Sequence, residues 1–195
     1  MTRIYQTLED RGNYEEVEAH GPYFCSYKDE KGRPKKGVKE PWLGEGFYFW
    51  DTRIEDAHWW GDQAYNGNGY MICQTYYNQN SKLLYDTVGD ISQLDELVDC
   101  AKLLRVQYEL DKITIPFVLG HLKKRAGFNY KAIRMCPDPN SKTGKKQSHI
   151  VFPGDKATLF VPEKIQICFF DRTLLDQPFK VVFPSVSALN KDFTI

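Results

Sequence analysis

The chain carries no net charge, its 26 basic residues being matched by 26 acidic ones. That balance removes any global pull toward nucleic acid or an anionic membrane and leaves only local patches to consider. It has no C-x-x-C pair. Its five cysteines, Cys25, Cys73, Cys100, Cys136 and Cys168, are odd in number and widely scattered, which argues against a zinc ribbon or a disulfide framework. No histidine pair has metal-ligand spacing, so no structural metal is expected. No run approaches 18 apolar residues, and MTRIYQTLEDRG has no apolar core of a signal peptide. Neither G-x-G-x-x-G nor G-x-x-x-x-G-K-[ST] occurs, so a Rossmann or P-loop nucleotide site is not expected. These absences together predict a reduced, soluble, cytoplasmic protein with no membrane partner.

What is present is a chain of 195 residues, of which 42% are hydrophobic and 27% charged, long enough to bury a core as one domain over residues 1–195. Aromatic residues make up 14%, an excess suited to stacking surfaces as well as to packing. Alternation and β-propensity predict strands over 3–8, 46–50, 69–77, 81–86 and 130–136, with the 69–77 and 81–86 strands joined by an Asn-rich turn. Short late strands are expected in HIVF, ATLFV and KIQICFF. Helices are expected at 13–21, capped by Asn13 and stopped by Gly21, and after Asp51 or Thr52, one of which should cap. Two further helices are predicted over 90–109 and 116–127. Two lysine-rich loops, 28–41 and 137–147, punctuate the chain. The class is α+β.

The densest signal is GEGFYFWDTRIEDAHWW. It resembles the nicotinamide-binding segment of the ADP-ribosyltransferase superfamily, in its diphtheria-toxin and poly(ADP-ribose) polymerase branch. Gly44, Gly46, Tyr48 and Phe49 fall on the pattern, Ala57 matches a small helix residue, and Trp59 takes the place of the second aromatic. IYQTL followed by NYEEVEAHG is similar to the family's first strand and helix. GYMICQTYY with SKLLYD resembles its paired middle strands, and RAGFNYKAIR the element before its late hairpin. Pro162, Ile165 and Ile167 in KATLFVPEKIQICFF match its last strands.

The resemblance implies an ADP-ribosyltransferase-like fold of two small antiparallel sheets around a cleft, with NAD as substrate. Tyr48 and Trp59 would sandwich the nicotinamide, each face worth about 0.5–2 kcal/mol. Gln6 and Thr7 would orient it, with Gly46 and Phe49 completing the binding segment. The sequence departs from the family at two places. Gln6 stands where the family has a ribose-gripping histidine, and Lys156 stands at the catalytic glutamate, a cation where positive charge develops. Asp155 is then the first carboxylate to stabilise the ribosyl cation, with Glu163 a weaker fallback.

Blander readings accompany each assignment. Tyr48 can be core. Trp59 and Trp60, adjacent on a helix, cannot face the same way, and Trp59 is taken as the slot wall. His20, His58, His121 and His149 read as surface or packing residues. Lys35, Lys36 and Lys39, with Lys142, Lys145 and Lys146 and the cluster Lys123, Lys124 and Arg125, could rim a phosphate-contacting surface, though solvated loops explain them as well. The expected function is an NAD-dependent ADP-ribosyltransferase or NAD glycohydrolase acting on an unknown macromolecular acceptor or water. A catalytically inactive binding module, or a nucleic-acid-targeting protein of a bacterial or phage conflict system, are the alternatives.

Overall fold

The computed structural model describes residues 1–137, 149–151, 158–160 and 164–184. The chain runs β1 (Thr2–Glu9), α1 (Tyr14–His20), β2 (Phe47–Asp51), α2 (Ile54–Ala64), β3 (Tyr70–Tyr77), β4 (Leu84–Asp86), α3 (Ile91–Gln107), α4 (Ile115–Leu122), β5 (Ala132–Met135), β6 (His149–Val151), β7 (Thr158–Phe160), β8 (Gln166–Phe169) and β9 (Lys180–Phe183). It is α+β, as the alternating periodicities predict. In place of two small antiparallel sheets, the strands build one seven-stranded sheet in the order β4-β5-β8-β2-β1-β3-β9, while β6 and β7 pair separately. Only β4 and β5 run parallel in that sheet; its other neighbours are antiparallel.

Strand alternation sorts side chains onto two faces. Phe47 and Phe49 of β2 point to one face with Ile4, Met71 and Phe169, closed by Val17 of α1 and by Phe179. Tyr48 points to the other, where Tyr85, Ile133 and Cys168 pack under Leu97 and Leu104 of α3 and Leu119 of α4. Beside them Tyr5, Trp50 and Ile72 pack against Ala57 of α2. One face therefore carries three helices, and the gap between α2 and the α3–α4 pair lies above β1 and β2. Among the described residues no helix is long and apolar enough to cross a membrane.

Four local expectations change. Strand 81–86 does not pair with β3; β4 sits at the opposite edge beside β5, because the free side of β3 is taken by β9, which alternation had not marked. Neither Asp51 nor Thr52 caps α2. The N-cap is Arg53 without a side-chain bond, and Thr52 turns the chain at φ 58. Asn13 occupies the cap position of α1, yet its side chain bonds Glu16 rather than the helix backbone. Helix α4 stops at Leu122 instead of reaching Gly127: Lys123 turns its ammonium onto the Phe170 ring, 3.3 Å from its centre, and Lys124 and Arg125 are exposed and offer no apolar face to bury. Caps do act on α3, where Asp90 accepts from the Ser92 amide at 2.9 Å, and on α4, where Thr114 accepts from that of Phe117.

Asp51 is spent elsewhere. The Arg134 guanidinium of β5 meets its Oδ2 from Nε and from a terminal nitrogen, each at 2.7 Å, and meets both oxygens of Asp86 at 3.1 Å. Tyr77 of β3 donates to Asp51 Oδ1 at 3.4 Å. Burial drives the Asp51 carboxyl upward against the pull of Arg134. Burial also works against the Arg134 cation, but the two carboxylates outweigh it and raise the guanidinium above its ordinary value. Those opposite pulls leave an ion pair, since two nitrogens at 2.7 Å favour the charged carboxylate most. Replacing Arg134 by Leu should leave Asp51 buried without a countercharge and cost about 3–5 kcal/mol in urea unfolding, with Asp51→Asn in the same chain restoring part of the loss.

Candidate functional site

The sheet opens between β1 and β2. They pair only at Ile4↔Asp51 and Tyr5↔Trp50, with the Thr52 amide donating to Arg3 O at 3.2 Å just beyond. Pairing of β1 with β3 continues to Glu9↔Tyr70. Backbone groups in an antiparallel ladder alternate sides. Arg3 and Tyr5 address β2, so the amide and carbonyl of Thr7 face the same way, past the point where β2 runs alongside.

Gln6 fills part of that seam. Its side-chain amide donates to Tyr23 O at 2.9 Å and to Tyr48 O at 3.3 Å, while its oxygen accepts from the Tyr23 amide at 2.9 Å. It is 6% exposed. Gln6 lines the groove, as expected of a binding residue, while its side-chain amide ties the segment after α1 to both strands. Thr7 is likewise tied, its hydroxyl donating to Ala57 O at 2.9 Å, so that only its backbone addresses the opening.

Above the seam lies a groove of about 470 Å³. Thr7, Tyr48, Trp50, Trp60 and Tyr65 line its inner part. The Tyr48 hydroxyl donates to Gly44 O at 2.7 Å and accepts from the Leu43 amide at 2.9 Å, so the ring is held as a fixed wall. Burial pushes that phenol well above its ordinary pKa. Trp60, not Trp59, reaches the groove. The reason is helical phase: Ala57 is fully buried against β1, and Trp60 lies one turn along the same side, whereas Trp59 points past Trp50. Trp59 stands edge-on to Trp50 at 6.1 Å and carries Lys164 Nζ 4.2 Å over its ring.

Two members of the expected binding segment have packing duties, Phe49 while also bordering the groove. The Phe49 ring, 1% exposed, packs edge-to-face on Phe169 at 5.6 Å. A Cβ on Gly46 would fall 2.5 Å from Cys168 Sγ and 2.6 Å from Phe169 O, so its glycine serves the close approach of β8. Asp155, Lys156 and Glu163 lie outside the described residues.

The outer groove was not legible in the sequence. Tyr23, Cys25, Glu40, Trp42 and Gln166 line it, brought in by the loop between α1 and β2 and by the start of β8. Trp42 Nε1 donates to Gln166 Oε1 across the mouth. Cys25 exchanges backbone bonds with Gly46 at 2.8 and 3.2 Å. Ser26 donates to Glu45, and Lys28 pairs with it at 3.0 Å; these bonds, the serine's first, hold the Glu45 carboxyl below its usual range. A tryptophan next to a lysine loop is the one signal that could have pointed to this loop. Lys39 and Glu40 supply the charge of the lining and cancel. The groove thus combines an aromatic lining with the strand edge at Thr7. Among the described residues no group of three His, Cys, Asp or Glu could hold a metal ion.

Two outcomes test this geometry. Gln6→Leu leaves the Tyr23 amide and carbonyl without their partner and should cost about 1–3 kcal/mol in denaturant unfolding. In a thiol-labelling time course on the native protein, exposed Cys25 should react first and half-buried Cys136 more slowly. Cys25 is itself raised by burial and then by Glu45, so its rate should climb as pH rises past the ordinary thiol range. Cys73 and Cys168, both pushed up to about 12 by burial, should stay silent until the protein unfolds.

No family model, curated protein or solved structure matches the chain.

Proposed function

We propose that the groove binds the nicotinamide end of NAD and that the chain is a divergent ADP-ribosyltransferase-like protein, acting as a transferase or an NAD glycohydrolase. The observation that carries this reading is the seam between β1 and β2: aromatic walls from Tyr48 and Trp60 flank the strand edge at Thr7. A pyridinium carboxamide matches all three, with stacking and cation–π attraction on its faces and hydrogen bonds from its amide to an open backbone. In this reading the nicotinamide–ribose bond breaks and the pyridinium leaves as neutral nicotinamide, its ring taking the bonding pair. The ribosyl carbon, left electron-poor, is stabilised by a carboxylate and captured by an acceptor or water. Asp155 is the first candidate for that carboxylate. Glu40 of the groove lining is the second.

The second reading is a binding module that holds NAD without cleaving it. It is favoured by the commitment of Gln6 to backbone and by the solvent exposure of Glu40, which weakens any charge it could present.

Proton NMR of NAD with the purified protein, followed for several hours, separates the readings. Free nicotinamide that disappears with Asp155→Asn or Glu40→Gln supports cleavage and identifies the carboxylate. Broadened nicotinamide lines on intact NAD support the binding module, and sharp unchanged lines reject both. By calorimetric titration, Trp60→Ala should weaken NAD about 2- to 30-fold, the loss of one stacking face, while Trp59→Ala leaves it unchanged.

A further inference from the structure

Beside the groove, α2 extends its aromatic surface: Trp60, which lines the groove, is joined by Trp59, which the proposed nicotinamide site does not use. Trp59 is 38% exposed and Trp60 41%, unusual for the largest side chains of a helix whose neighbours Ala57 and Gly61 are buried. Both lean on Trp50, with ring centroids 6.1 Å from it, and stand 6.2 Å from each other at 46°. A cation is fixed beside them. The Lys164 amide donates to Asp56 Oδ2 at 3.0 Å, and Asp56 is a buried carboxylate one turn ahead of Trp60 on the same helix. That bond anchors the lysine's backbone, at φ 58, and Nζ comes to lie 4.2 Å over the Trp59 ring. Trp60 itself lines the groove, as does Gln166 two residues beyond Lys164, so the shelf borders the groove.

Exposed rings braced by a third ring, with an ammonium held over one face of Trp59, match an unstacked base and its neighbouring phosphate. We propose that Trp59, Trp60 and Lys164 form a stacking shelf for single-stranded nucleic acid, leading a nucleotide strand past the mouth of the groove. The charge complementarity is local: the lysine meets the phosphate, while the chain as a whole is neutral and gives no non-specific attraction to duplex. The shelf stands on its own geometry and does not require that the groove bind NAD.

Fluorescence anisotropy of a labelled oligothymidylate of about twelve nucleotides, a length in the usual range for one such surface, tests the shelf. Saturable binding is expected, weaker for a duplex of equal length and falling as salt rises. Trp59→Ala should weaken it about ten-fold or more, the loss of one stacked base, with Trp59→Phe retaining part. Lys164→Gln should reduce both the affinity and the salt dependence, and Lys124→Gln, on exposed chain beyond α4, should do neither. Absence of binding, equal binding of duplex, or unchanged affinity in both Trp59→Ala and Lys164→Gln overturns the proposal. Because Trp59→Ala leaves the inner groove intact, its effect on oligonucleotide can be read apart from NAD binding by the same protein.

Discussion

The Arg134 guanidinium and the two carboxylates it holds fix the middle of the sheet. Asp51 closes β2, Asp86 closes β4, and Arg134 lies in β5, with Tyr77 reaching in from β3. Charges this deeply placed cannot be left unmatched, so the four strands are constrained to one register. Asp51 also ends its strand there. Thr52 turns at positive φ, Arg53 begins α2, and the phase of that helix brings Ala57 onto β1 and Trp60 to the groove. The position of the aromatic wall thus traces back to an ion pair on the opposite face of the sheet.

The groove depends on a second constraint, the early end of the β1–β2 ladder. A sheet that stayed zipped would have no strand edge to offer. The Gln6 side chain takes the Tyr48 carbonyl that Thr7 would otherwise have engaged, and it anchors Tyr23 in the same stroke. One buried amide therefore keeps the seam open, supports the strap over it and satisfies groups that burial would otherwise penalise. The expected ribose contact and the observed bracing draw on the same property, an amide that both donates and accepts. Tertiary placement decided between them.

The aromatic excess divides into three uses. Phe49, Phe169 and Tyr77 form edge-to-face pairs in the core, where area and geometry both contribute. Tyr48, Trp50 and Trp60 make the inner groove. Trp59 stands outside with Lys164 on its face. Composition alone could not assign these uses, because it records how many rings there are and not which way each is turned.

The sequence by itself determined the local elements. Alternation located β1, β2, β3 and β5, helical periodicity located α3, and the run from Gly44 to Trp60 marked the right part of the chain for the groove. These are properties of contiguous residues, carried by period and propensity. Tertiary structure decided everything that needed two distant segments. It put β9 rather than β4 beside β3, spent Asp51 on Arg134 instead of a helix cap, and turned Gln6 to Tyr23. It chose Trp60 over Trp59 and brought Trp42 and Gln166 to the groove mouth from residues far apart in the chain. Which strand edge is free, and which polar atom already has a partner, are set by packing and hydrogen-bond satisfaction across the whole sheet, and no local pattern encodes them.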